Sequence, residues 1–161
     1  MKLRSLSIAV VAFALAVTAI STAGGKPYVI GYDETKSLIA NMTMMSYDRQ
    51  HGTQVEFIAR NGRTYLLYPG NKVMVKGEWK LNRTDKPKVF EMCFRYPSNS
   101  YNPATKQSGG SWECQAAGFY LGGMAEMNPG DVLGLSKNAK VPFVLSKRKT
   151  SLAKLTRLLP E

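Results

Sequence analysis

QVEFIARNGRTYLLYP, residues Gln54–Pro69, consists of two runs joined by Asn61-Gly62. Val55, Phe57 and Ala59 alternate with Gln54, Glu56, Ile58 and Arg60, and a period of two sends successive side chains to opposite sides of a strand. RTYLLYP follows the dipeptide as a second short strand. Asn-Gly between two such runs is a strong hairpin signal, because both residues tolerate the positive φ of a type I′ turn. The stretch therefore predicts an antiparallel hairpin, and with it a β fold.

The same grammar continues outward. Pro69-Gly70-Asn71 marks a turn, KVMVKGEWKL (72–81) a strand and NRTDKPK (82–88) another reversal. VFEMCFRY (89–96) puts Phe90, Met92, Phe94 and Tyr96 on one face, and Val89, Glu91, Cys93 and Arg95 on the other. SWECQAAGFYL (111–121) reads as a further strand, and VPFVLS (141–146) as a last one whose Pro142 favours an edge. Before the hairpin, Asp33 stands where a helix N-cap would, and Leu38, Met42 and Met45 follow at helical spacing with Ile39 beside them. The expected fold class is mainly β: a small antiparallel β-barrel or strongly curved sheet with one early helix and a short C-terminal one.

The chain opens with Lys2 and Arg4 before an apolar run from Leu6 to Ile20, and Ser21 and Ala23 stand at the positions a signal peptidase reads. Residues 1–23 are thus expected to be a secretory signal peptide. Residues 24–161 then form a single β-rich domain with a basic segment at about 137–161, and the product is periplasmic or secreted. Of 161 residues, 22 are Lys or Arg and 11 are Asp or Glu, a formal charge of +11 to which the leader contributes two. Such a surface attracts anionic partners, envelope lipids or glycans among them. Export and the lack of any nucleic-acid-binding motif argue against DNA or RNA.

Ala40-Asn41-Met42-Thr43, the turn Asn61-Gly62, Gly77-Glu78-Trp79 and a following strand with Cys93 appear in that order after an early helix. The arrangement resembles a group of small exported bacterial proteins of unknown function, the DUF995-like domains, over about residues 33–120. Ala40 and Asn61 stand where that group has glycine and aspartate. The resemblance implies an envelope-associated β module and supplies no catalytic residues.

Cys93 and Cys114 are the only cysteines, and an even count in an exported chain points to a disulfide. Between them lies an excursion rich in Tyr, Asn, Pro and Gly. Arg95, Tyr96, Asn99, Tyr101, Asn102, Lys106 and Trp112 form its candidate binding surface, since rings stack on apolar ligand faces while amides and cations fix orientation. Lys147, Arg148, Lys149, Lys154 and Arg157, with Leu152, Leu155 and Leu159 at helical spacing, make a basic amphipathic segment. It either contacts an anionic membrane surface or docks its leucines on the sheet.

Chemistry is sparse. Met42, Met44, Met45, Met124 and Met127 with His51 are a soft-ligand set of the type that holds Cu(I), although methionines more often pack a core, and no metal or cofactor is expected. With one histidine, a His-rich zinc site within one chain is excluded. Glu91 and Glu113 are a candidate carboxylate pair across adjacent strands, and Asp48 with His51 a candidate orienter and base that lacks a nucleophile. The sequence thus favours a non-enzymatic, disulfide-stapled module that binds an envelope component or a protein partner. An exported inhibitor of the lysozyme-inhibitor kind and a cell-wall or glycan-processing enzyme are the alternatives.

Overall fold

The computed structural model describes residues 31–137 and 140–160, so the expected leader lies outside the described residues. Elements follow as α1 (Tyr32–Ile39), β1 (Met42–Asp48), β2 (Gly52–Ile58), β3 (Arg63–Leu67), β4 (Val75–Arg83), β5 (Phe90–Arg95), β6 (Tyr101–Asn102), β7 (Gln107–Ser108), β8 (Glu113–Ala116), α2 (Ala117–Gly122), β9 (Met124–Pro129) and α3 (Leu152–Thr156). Seven strands form one antiparallel sheet in the order β8-β5-β4-β3-β2-β1-β9, curled into a half-barrel, and β6 with β7 makes a separate small hairpin. The mainly β, strongly curved sheet expected from the alternation is the fold observed.

The hairpin at Gln54–Pro69 pairs Val55 with Leu67 and Phe57 with Tyr65. Its turn is not type I′: Gly62 takes a φ of 80° but Asn61 is not in the positive region, and the Gly62 N–H donates to the Ala59 carbonyl at 3.3 Å. Asn61 instead accepts the Arg63 N–H on its side-chain oxygen at 3.1 Å.

The early helix is shorter than its apolar spacing predicts. Asn41 adopts a φ of 64° and donates its N–H to the Ile58 carbonyl at 2.6 Å, which ends helical geometry and feeds the chain onto β2. Met42 and Met45 therefore lie in a strand, Leu38 is 45% exposed, and Ile39 is the helix residue that is fully buried. Gly31 occupies the N-cap position, with Asp33 in the first turn. Three further expectations change. Only Glu113–Ala116 of the 111–121 run is strand, because Tyr120 and Ala117 are buried from a helix. β9 pairs with β1 where the sequence pattern predicts no strand. The 141–146 segment is not a strand; Lys140 makes one isolated bridge to Val73, and Leu145 is buried as a single anchor.

Alternation gives the sheet two faces and two apolar clusters. On the outer face of β1–β3, Met45, Val55, Phe57 and Leu67 pack with Leu133, Leu135, Leu145, Leu152 and Leu155 of the C-terminal segment. That segment runs as a strap. Thr43 donates to the Gly130 carbonyl (2.6 Å) and Thr53 to that of Arg148 (2.8 Å), and both threonines are fully buried. Gly52, at a φ of 82°, has no room for a side chain, since a Cβ would stand 2.6 Å from the Lys147 Cα. On the concave face, Met44, Ile58, Trp79, Leu81, Met92 and Phe94 pack with Ile39 of α1 and with Ala117 and Tyr120 of α2.

Candidate functional site

The concave face is not filled along its whole length. Beyond the Trp79–Met92 cluster it opens into a groove of about 940 Å³ lined by residues from β1 to β5, β8 and β9, the 97–109 loop and α2. A cleft of this size with mixed apolar and polar walls is the usual form of a small-ligand site.

The cysteine-bounded excursion forms one wall. Cys93 and Cys114 are directly opposed on β5 and β8 and are disulfide-bonded. Gly110 and Gly109 donate backbone N–H groups to the carbonyls of Tyr96 (2.9 Å) and Ser100 (3.0 Å). A Cβ on Gly109 would meet the Pro97 carbonyl oxygen at 2.4 Å, so only glycine lets these backbones touch. Asn102 caps the tip, accepting from the Ala104 and Thr105 N–H groups, and the Gln50 amide donates to the Ala104 carbonyl at 2.8 Å. The loop leaving one side of the half-barrel is thereby tied to the β1–β2 turn on the other.

Glu56 stands on the floor, only 8% exposed. Thr64 Oγ1 donates to its Oε1 at 2.6 Å, and the Tyr96 hydroxyl donates to the same oxygen at 2.5 Å. Gly77 makes the second contact feasible. A Cβ there would lie 2.7 Å from Tyr96 Cδ1, so the missing side chain is the space in which the tyrosine ring lies flat on the sheet. Burial pushes the Glu56 carboxyl from an ordinary 4.5 up to about 7, against the two hydroxyl donors that pull it down. Burial, the Glu56 charge and its hydrogen bond raise Tyr96 well above 10, and burial followed by the Glu56 charge does the same to Tyr120, so both phenols stay neutral.

At the open end, Tyr68 is 7% exposed and its hydroxyl is the one buried side-chain polar atom without a partner among the described residues. A buried unpaired hydroxyl costs roughly 1–3 kcal/mol unless something fills the gap. Its ring meets His51 edge-on at 6.3 Å. His51 Nδ1 lies 2.8 Å from Asp48 Oδ2, while Asp48 Oδ1 accepts the Gln50 and His51 backbone N–H groups. Burial opposes ionisation of Asp48, but the backbone and side-chain hydrogen bonds from His51 outweigh it and hold the carboxyl below its usual value. The base and orienter read from the sequence are thus in contact.

The candidate surface is divided between the two faces. Tyr96, Asn99, Tyr101 and Asn102 line the groove. Arg95 and Trp112 face the other way: Arg95 pairs with Glu78, which it holds below the usual carboxylate range, and the Trp112 ring packs against Lys80 Nζ at 4.4 Å and Arg95 Cζ at 4.8 Å. Lys106 sits exposed at the hairpin tip with a φ of 60°. The carboxylate pair is separated, because Glu91 is on the Cys93 side and Glu113, opposite Phe94, lines the groove. Glu91 does approach Cys93 and Cys114, but both sulfurs are engaged in the disulfide and are not free ligands.

Met42, Met44, Met124 and Met127 gather on the concave side, with Met44 opposite Met127. Met45 points into the outer cluster and His51 is at the far end of β1, so the soft-ligand set is not assembled. Lys147, Arg148, Lys149, Lys154 and Arg157 are exposed, whereas Leu152 and Leu155 are in the core, so the leucine stripe is docked on the sheet. No described helix is long and apolar enough to cross a membrane.

Glu56, Thr64, Tyr68, Phe119 and Tyr120 were not among the residues singled out from the sequence. The available signal was an acid on the opposite side of a strand from Val55 and Phe57, sharing its face with Ile58. Alternation assigns that face to solvent unless both faces are covered. No family model matches the sequence, no curated protein matches it and no solved structure matches it, so the likeness to DUF995-like domains stands on the quoted residues alone.

Proposed function

We propose that this protein is a non-enzymatic binding module of the cell envelope that takes a small ligand, or a short segment of a larger one, in the concave groove. The observation that carries this reading is the pairing of an open cleft with the Tyr68 hydroxyl, buried without a partner among the described residues, and with Glu56, whose two described donors both go to Oε1 and leave Oε2 to the groove. Tyr101 and Phe119, 61% and 77% exposed, stand at its margins as rings a ligand would cover. Methyl-labelled protein titrated with envelope extract is expected to show shifts at Met44 and Met124, weakened by Tyr101→Ala and unaffected by Trp112→Ala. Shifts that instead follow Trp112→Ala would move the site to the outer face.

The exposed cations of the strap support a second, purely electrostatic contact with an anionic surface. Because Leu152 and Leu155 are committed to the core, no apolar face remains in α3 to insert into lipid. Sedimentation with vesicles rich in phosphatidylglycerol is expected to retain the protein at low salt and release it in about 1 M salt, where the Debye length falls to ~3 Å. Retention at high salt would show hydrophobic insertion and reject this contact mode.

A further inference from the structure

The groove's chemistry allows its ligand to be narrowed, on the reading that the groove is the binding site. We infer that the groove selects an organic cation, a ligand with an ammonium group on an apolar body, with Glu56 Oε2 as the counter-charge and the tyrosine faces as its walls.

The lining is electron-rich. Tyr68, Phe94, Tyr96, Tyr101, Phe119 and Tyr120 all border the groove, and a ring quadrupole attracts a cation at its face. Two thioethers, Met44 and Met124, add polarizable surface. Of the lining residues, two carry carboxylates, Glu56 and Glu113; none is arginine or histidine, and the only cations are Lys72 and Lys76. Lys72 is exposed in the connection before β4, and Lys76 pairs with Tyr65, whose ring belongs to the outer cluster, so alternation directs the Lys76 side chain away from the floor. In a chain with a large positive excess, Glu56 stands on the concave floor with no cationic hydrogen-bond partner among the described residues.

The hydrogen bonds around Glu56 fix where its proton sits. Thr64 and Tyr96 both donate to Oε1, so a proton on the carboxyl goes to Oε2, which no donor among the described residues reaches. The groups facing Glu56 are Thr64 on β3, Tyr96 after β5 and Tyr120 on α2, and none carries a positive charge to stabilise the carboxylate. An entering ammonium supplies the missing positive charge and displaces the proton. A ligand carrying a carboxylate or carbonyl would do the reverse, keeping the proton in place as a donor. Tyr68, two residues past Leu66, the β3 partner of Glu56, also lines the groove and offers its unpaired hydroxyl to a second polar atom.

Three probes with one aromatic body separate these cases: phenethylamine, phenethyl alcohol and phenylacetate, each titrated into the full chain and followed by methyl and tyrosine resonances. The amine is expected to shift groove resonances and to bind at least about tenfold more tightly than the alcohol, with that preference lost in Glu56→Gln and retained in Tyr68→Phe. Calorimetry near pH 7 in two buffers of different ionisation enthalpy is expected to show net proton release, because Glu56 is about half protonated before the cation enters. If the alcohol binds as tightly as the amine, or phenylacetate binds with proton uptake, the cation assignment fails while the groove remains the site. If none of the three shifts a groove resonance, both the assignment and the groove reading fall.

Discussion

Replacing Glu56 with glutamine is expected to stabilise the protein by roughly 3 kcal/mol at alkaline pH and to change it little near pH 4. Burial raises the folded-state value of this carboxyl from 4.5 to about 7, so folding favours its protonated form. Below the unfolded value both states hold the proton and nothing is lost. As the pH climbs between the two values the unfolded chain releases its proton and the folded chain does not, so stability falls; above about 7 the penalty is complete. Glutamine keeps an oxygen for Thr64 and Tyr96 and presents an uncharged amide where Oε2 stands. Asp48 works in the opposite sense, since its lowered value contributes stability that is lost as the pH falls, so the difference between wild type and variant isolates Glu56. Urea unfolding from about pH 4 to 9 is the measurement, with wild type and variant diverging as the pH rises. Parallel curves would show that the carboxyl is not held in its buried, perturbed state.

Removing the staple with Cys93→Ala and Cys114→Ala is expected to cost roughly 3 kcal/mol, the entropy of closing a loop of this length in the unfolded chain. The separation of 21 residues encloses the wall of the groove. β8 is a four-residue edge strand with all four residues exposed, paired only with β5, so the disulfide also fixes the end of the excursion where the sheet holds it least. Groove resonances of Tyr101 and Phe119 should broaden or shift in the variant even where the sheet remains folded. A loss below about 1 kcal/mol, with the groove spectrum unchanged, would mean that the Gly109 and Gly110 backbone bonds and the Gln50 tie position the loop without the disulfide. The two variants bear on different levels: one alters the charge on the floor, the other the geometry of the wall.

Much of the sheet is legible from period alone. The Gln54–Pro69 hairpin, the two faces of Phe90–Arg95 and the pairing of the only two cysteines follow from alternation and from composition, which depend on neighbouring residues and on counting. The errors cluster where one pattern fits two structures. Leu38, Met42 and Met45 fit a helical stripe, but Asn41 breaks the helix with a left-handed φ, a choice made by the pairing of β1 with β2. Thr43 and Thr53 are fully buried donors to the strap, whose route over the sheet is a contact between residues 87 or more apart in sequence.

The candidate site was half visible. Tyr96, Asn99, Tyr101 and Asn102 belong to it, whereas Arg95 and Trp112, adjacent to them in sequence, fall on the other side of a strand one residue wide in period. Sequence by itself determined the central strands β2 to β5, the staple and the basic outer surface, because these rest on local alternation, residue counts and charge. Only the tertiary structure decided that Glu56 is buried, that Gly77 clears the space for Tyr96 to reach it, and that the cysteine-bounded loop walls a groove with Tyr68 at its end. Those facts require both faces of one sheet to be covered at once and a strand to curl back within hydrogen-bonding distance, and no local pattern carries that information.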